Sequence, residues 1–156
     1  MEVTPTLKKS LVLFPLLVVV LLGPGWVHSS LSQESQADRF YRQHIDPDNP
    51  FGNKTSYCDV MMWRRNINWY SCKKLNTFVH TSRATARAVC REKLTACRNG
   101  TVNCHKSRSS MRITQCNLKG GSKYPNCAYW STQRTAHILV VCDGNSSKPI
   151  HFDSSV

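Results

Sequence analysis

Eight cysteines lie between residues 58 and 142 of a 156-residue chain: Cys58, Cys72, Cys90, Cys97, Cys104, Cys116, Cys127 and Cys142. No other feature restricts the possible folds as strongly. An even cysteine count in a small exported chain reads as four disulfides, each of which removes freedom from the unfolded ensemble. Structural zinc is the competing use of clustered thiols. Such sites draw on close pairs of the C-x2-C kind, whereas the tightest spacings here, Cys90 to Cys97 and Cys97 to Cys104, leave six residues between cysteines. No metal and no cofactor is expected. Eight cysteines allow 105 connectivities, and only Cys97–Cys104 is local enough to propose unaided. That pair brackets "RNGTVN", in which Asn99-Gly100 signals a turn.

The disulfide reading needs an oxidising compartment, and the start of the chain supplies the address. "LKKSLVLFPLLVVVLLGPGW" carries Lys8 and Lys9, then an apolar run from Leu11 to Leu22, then a "GPG" break followed by serines. The run is about a dozen residues, short of the roughly 20 needed to span a bilayer. Residues 1–32 therefore read as a secretory signal peptide and residues 33–156 as one secreted domain. The formal charge is +12 for the whole chain and +11 without Glu2, Lys8 and Lys9. Polyanions are the natural partners of such a surface: nucleic acid, heparin-like chains or anionic membranes. Charge does not choose among them.

Periodicity gives the coarse layout. "SQADRFYRQH" (35–44) predicts a helix capped by Ser35, with Phe40 and His44 on one face. Residues 46–56 read as a loop. Residues 56–66 and 82–92 read as two more helices, each opened by a serine. Strands are expected over 75–80, 104–114, 127–133, 136–143 and 149–156, with a turn at 120–126 in which Tyr124-Pro125 is a candidate cis bond. Helices first and strands later predict the α+β class, three helices in the N-terminal half packed on an antiparallel sheet. Asn53, Asn99 and Asn145 open N-x-S/T sequons and are candidate glycosylation sites.

Three residues carry candidate chemistry. His44 sits on the inner face of the first helix beside Gln43, Lys73 follows Cys72, and His151 lies in the last strand before Phe152 and Asp153. Two imidazoles can take and give protons near neutral pH, and a lysine can meet charge developing on phosphate oxygens. Asp153, two residues on from His151, points to the same side of an extended strand and is placed to orient the imidazole. A histidine on an apolar helix face is more often a hydrogen-bonded core residue, and a lysine beside a cysteine is usually a solvated charge. His80, His105 and His137 have equal standing by residue type and are assigned structural or surface roles. Spacing alone does not bring His44 and His151 together.

"FYRQHID", "CKKLNTFVH", "CRNGTVNC", "SKYPNCAYW" and "KPIHFDSSV" resemble the pancreatic-type ribonucleases of the ribonuclease A superfamily, from about Arg39 to Val156. The resemblance implies a bent antiparallel sheet and the pairings Cys58–Cys116, Cys72–Cys127, Cys90–Cys142 and Cys97–Cys104. It implies an endoribonuclease that cuts single-stranded RNA 3′ of pyrimidines through a 2′,3′-cyclic phosphate. His44 matches the general base, His151 the general acid and Lys73 the lysine that stabilises the transition state. Gln43 and the Phe152 N–H match holders of a phosphate oxygen, and Asp153 matches the orienting carboxylate. Thr77 matches the pyrimidine reader and Asn76 a neighbour that supports Lys73. Arg39, Arg42 and Arg98 match phosphate contacts, and Asn103, Thr101 and Asp143 fall in the subsite for the second base. Cytosolic ribonuclease inhibitor is an implied candidate partner, and a monomer is expected.

Departures from the family pattern are informative. Gln115 stands where an aspartate tunes pyrimidine preference, Thr101 where a glutamine is usual and Asn117 where an arginine is usual. Lys74 and Ser146 replace prolines. Trp63, Trp69 and Trp130 occupy positions that are basic in the digestive enzymes, and exposed rings there suit base stacking or a membrane interface. A cationic, membrane-active defence protein is therefore the alternative function.

Overall fold

The computed structural model describes residues 32–49 and 54–156. The expected signal segment, apart from residue 32, and the Asn53 sequon lie outside the described residues. Helix α1 spans Gln36–His44. The Ser35 hydroxyl accepts the Asp38 N–H at 3.1 Å, satisfying one of the amides that a helix start leaves unpaired. Ala37, Phe40, Tyr41 and His44 form its buried face. Helix α2, Tyr57–Arg64, ends two residues before the expected boundary. Asn66 takes a left-handed conformation, φ 48. Asn66 N–H then donates to Trp63 O and Ile67 N–H to Met62 O, each at 3.0 Å. That pair of bonds closes the helix and turns Ile67 into the core. Helix α3, Arg83–Ala88, is capped by the Ser82 hydroxyl on Thr85 N–H and tightens into a 3-10 turn at Val89–Arg91. The single helix expected over 82–92 is thus two pieces.

Seven strands follow the order β1 Leu75–Val79, β2 Leu94–Thr95, β3 Cys104–Lys106, β4 Met111–Leu118, β5 Tyr129–Ala136, β6 Ile138–Cys142 and β7 Pro149–Ser155. They form two antiparallel sheets, β1-β4-β5 and β2-β3-β6-β7. The strand expected over 104–114 breaks at Ser107, which is buried and donates its hydroxyl to Ser109 O while accepting Ile138 N–H. β2 gave no sequence signal, being two residues long. His137 alone separates β5 from β6, and its N–H and C=O pair with Val156. The expected bent sheet is therefore two sheets joined at His137.

All four disulfides are formed: Cys58–Cys116, Cys72–Cys127, Cys90–Cys142 and Cys97–Cys104. The first ties α2 to β4, and the second fixes the chain just before β1. Two of the three hydrophobic clusters among the described residues hold the layers together. Phe40 and Ile45 pack on Val79, Ile113, Ile138 and Val140, and Tyr57 and Met62 pack on Phe78, Cys116 and Tyr129. Burying each large side chain of this kind stabilises the fold by roughly 1.5–3 kcal/mol. This packing seats the C-terminal end of α1 between β1 and β7.

Candidate active site

The register of β1 decides what α1 meets. His80 N–H donates to Arg112 O and Leu118 N–H to Lys74 O. With Thr77 opposite Gln115, those bonds make 77/115 a non-hydrogen-bonded pair, so the Thr77 N–H and C=O turn away from β4. The Thr77 carbonyl accepts the Nδ1–H of His44 at 2.8 Å. A carbonyl can only accept, so Nδ1 carries the proton and Nε2 keeps its lone pair. The His44 ring stacks on Phe152 at 5.0 Å. Burial, first of all, pushes the His44 imidazolium down to about 3; the Thr77 carbonyl opposes this, and Lys73 and His151 add to it. His44 is a neutral acceptor at physiological pH.

Lys73 is held from several directions. Its Nζ donates to Asn76 Oδ1 at 2.9 Å and Gln43 Oε1 at 3.1 Å. Asn76 in turn donates to the Gln43 carbonyl at 2.8 Å. Both acceptors are neutral amides, so the ammonium charge is oriented without being cancelled. Burial, then the nearby Arg42 guanidinium, lowers the Lys73 pKa. The Lys73 backbone is pinned by two residues that sequence reasoning missed. Asn68 Oδ1 accepts its N–H at 3.1 Å, and the Tyr129 hydroxyl lies 2.7 Å from its carbonyl. Asn68 acts from five residues away with no motif to mark it, and Tyr129 reaches Lys73 from the far side of the Cys72–Cys127 bridge.

His151 comes from the opposite wall, on β7, and is exposed. Its strand pairs irregularly with β6. Leu139 and Val140 oppose Ser154 and Phe152, and Val141 and Cys142 oppose His151 and Pro149. Asp153 and Ile150 are thus extra residues in two bulges that flank His151. Bulges re-aim side chains next to functional sites. They also break the two-residue alternation on which the expected Asp153–His151 pairing rested. Asp153 Oδ2 accepts the Arg98 N–H at 3.0 Å and the Ser154 hydroxyl at 2.7 Å, and no hydrogen bond joins it to His151. Its carboxylate positions the Arg98 loop.

His44, Lys73, His151, Gln43, Asn76, Thr77, Gln115, Phe152 and Asp153 line one cleft of about 380 Å³, with Arg39 and Arg98 at its margin. Arg42 does not line it. Its guanidinium forks onto Glu34 at 2.6 and 2.8 Å and donates to the Arg65 carbonyl at 2.6 Å, leaving it as a clamp between α1 and the end of α2. Thr101, Asn103 and Asp143 also lie outside the cleft lining. Thr101 N–H is turned onto Asn99 Oδ1. Asp143 accepts from the Ser146 hydroxyl and the Asn145 N–H, closing the turn in which Ser146 replaces a proline; those bonds hold its carboxyl below the usual range. Asn99 and Asn145 are both exposed.

Beneath the cleft runs a second polar cluster. Asp46 is buried and accepts from Tyr57 OH at 2.6 Å, while His80 Nδ1 donates to the Asp46 carbonyl at 3.0 Å and Nε2 accepts from the Thr114 hydroxyl at 2.7 Å. His80 is structural, as the residue reading assigned it. Trp63 and Trp69 are exposed, at 77% and 60%, and line a depression separate from the cleft with Tyr70 and Tyr124. Trp130 lies under the Lys119 ammonium at 4.4 Å.

Residues 35–153 match the family model described as pancreatic ribonuclease. The chain belongs to the pancreatic ribonuclease family. It is 51% identical to "Ribonuclease pancreatic" of Lagothrix lagotricha over 96% of both chains, and 51% identical to that of Mus musculus over 96% of this chain and 99% of the relative. The Lemur catta protein is 49% identical over 96% of both. Within the pancreatic ribonuclease family pattern, the four disulfides and the α+β fold are retained here. Gln115 and Arg134 both line the cleft.

Proposed function

We propose that this chain is a secreted endoribonuclease that cleaves single-stranded RNA on the 3′ side of pyrimidines by transphosphorylation. The observation that carries the reading is the convergence, in one cleft, of a buried imidazole locked as the Nδ1–H tautomer, an exposed imidazole on the facing strand and an ammonium held by neutral amides. His44 Nε2 takes the proton of the ribose 2′-hydroxyl as its oxygen attacks the adjacent phosphorus. The 5′-oxygen leaves with a proton from His151, and a 2′,3′-cyclic phosphate remains. Water opens that ring more slowly with the two histidines in exchanged roles.

Lys73 meets the charge that builds on the phosphoryl oxygens, where a preorganised donor counts most. Accepting from Lys73 fixes the Gln43 amide so that its NH2 is left to donate to a phosphate oxygen. No step calls for a metal ion. The base reader is Thr77. Its carbonyl is spent on His44, while its N–H faces away from β4 and its hydroxyl makes no hydrogen bond among the described residues. That donor and that donor–acceptor suit O2 and N3 of a pyrimidine.

The test is cleavage of poly(U) and poly(C) in excess EDTA, with the first product identified by phosphorus NMR. A cyclic phosphate intermediate and an uncut 2′-deoxy analogue are expected. Ordinary turnover by His44→Ala, or activity abolished by the chelator, would sink the assignment.

A further inference from the structure

The base-reading end of the cleft holds a residue that no motif singled out. β1, β4 and β5 pair in the register Thr77↔Gln115↔Thr132, and Arg134 lies two residues beyond Thr132 on β5 with no irregularity in that pairing. Side chains two apart on a strand share a face, so Arg134 stands on the Thr77–Gln115 side and lines the same cleft. Its Nη2 donates to the Ser155 hydroxyl at 2.5 Å and the Ser155 carbonyl at 3.3 Å. These bonds hold the guanidinium against the end of β7. Its Nε–H and Nη1–H groups take no partner among the described residues. No carboxylate among the described residues pairs with it; Asp153, which also lines the cleft, is engaged by Arg98 and Ser154.

We infer that Arg134 makes this cleft select uracil over cytosine on the 5′ side of the scissile phosphate; the inference rests on the endoribonuclease reading above. The two bases differ at position 4, an oxygen acceptor in uracil and an amino donor in cytosine, and at N3, a donor in uracil and an acceptor in cytosine. The Thr77 hydroxyl rotates to suit either N3, and the Gln115 amide presents oxygen or nitrogen. Neither discriminates by itself. A guanidinium donates only. It bonds the uracil O4, with the added strength of a charged donor, and meets the cytosine amino group donor against donor.

The experiment measures kcat/KM on UpA and CpA for the wild-type protein, Arg134→Met, which keeps the apolar stem, and Arg134→Glu. Arg134 is exposed, and thermal unfolding of each variant confirms the fold. The wild type should favour UpA about tenfold, the low end for a hydrogen bond to a charged group. Arg134→Met should bring the ratio close to one, chiefly by lowering the UpA rate, with the CpA rate unchanged or raised. Arg134→Glu should favour CpA, since a carboxylate accepts from the amino group. Binding of the uridine and cytidine 3′-monophosphates by calorimetry should rank in the same order. Equal losses on both dinucleotides would make Arg134 a phosphate contact and overturn the inference, as would an unchanged ratio. If the wild-type protein cut neither dinucleotide, the endoribonuclease reading itself would fall.

Discussion

On the wall built from α1 and the start of β1, the His44 ring and the Lys73 ammonium are each gripped by a neighbour. The His44 Nδ1–H is on a carbonyl, the Lys73 ammonium is on two amides, and the Lys73 backbone is pinned at both ends. Along β7, His151 is exposed and no side chain among the described residues hydrogen-bonds to it. Two bulges in the backbone set its direction. One wall is preorganised by side-chain hydrogen bonds and burial, the other by strand register. The first arrangement couples catalysis to stability, because its groups are partly desolvated. The second leaves the two separable.

The largest expected effect tests that separation. His44→Ala and His151→Ala should each lower kcat/KM on a dinucleotide by about 10²- to 10⁴-fold, the contribution of a positioned acid or base. Their stabilities should diverge. His44→Ala leaves the Thr77 carbonyl unpaired beside a new cavity and should cost roughly 1–3 kcal/mol. His151→Ala removes an exposed ring and should stay within about 0.5 kcal/mol. Urea unfolding of the two variants reads the difference directly. Equal destabilisation would show that the walls are not built differently.

Lys73→Ala should lower kcat by about 10²- to 10³-fold with little change in KM, since the ammonium acts on charge that appears in the transition state. Asn76→Ala keeps the cation and removes one of its two holders. A loss of about tenfold is expected from it, in kcat again, because misdirection of the donor and not loss of charge is the defect. A KM effect in either variant would place Lys73 in ground-state binding instead.

Next in size is the pH dependence of stability. The His44 pKa is lowered in the folded protein from an ordinary 6.5 to about 3, and that of His80 is lowered as well, in both cases by burial first. Between those values the unfolded chain binds protons that the folded protein refuses. Stability is therefore intact above pH 6.5 and declines as pH falls towards 3. Two pH units below 6.5, His44 alone accounts for about 3 kcal/mol. Urea unfolding at pH 7 and about pH 4.5 should show the decline, and His44→Ala should flatten it. Phosphate bound in the cleft stabilises the imidazolium and should flatten it too. A His44→Ala variant with the full wild-type slope would remove His44 as the cause.

How far this comparison was legible in the sequence differs between the walls. α1, with its Ser35 cap and the Phe40/His44 face, follows from local periodicity, and the Cys97–Cys104 loop follows from its turn residues. The remaining disulfides, and the meeting of His44 with His151, needed the resemblance to the family, because contacts across more than a hundred residues leave no periodic trace. The β7 wall defeated strand reasoning at Asp153. Alternation assumes one residue per pleat, and a bulge is decided by the partner strand. Arg42 lies outside the cleft lining for a related reason. Its charge suggested a phosphate contact, but Glu34 lies close enough in the fold to take both arms of the guanidinium. Arg134 was missed because its place in the cleft comes from two sheets meeting, through Ser155, and not from its neighbours in sequence.

Asp153 yields the smallest expected effect and the sharpest statement about the β7 wall. If backbone register alone aims His151, the carboxylate is replaceable so long as the Arg98 N–H keeps an acceptor. Asp153→Asn retains one oxygen and should reduce kcat/KM no more than severalfold. Asp153→Ala strands that amide. It should raise KM for substrates long enough to reach the Arg98 margin, while dinucleotide kcat stays near that of Asp153→Asn. An acid that depended on a carboxylate for its tautomer would behave otherwise. Both variants would then lose kcat by 10²-fold or more, as expected for a mis-set general acid, and its limb of the pH profile would shift. That outcome would mean that His151 swings onto Asp153 once RNA is bound, and that both walls are held by side chains in the working enzyme.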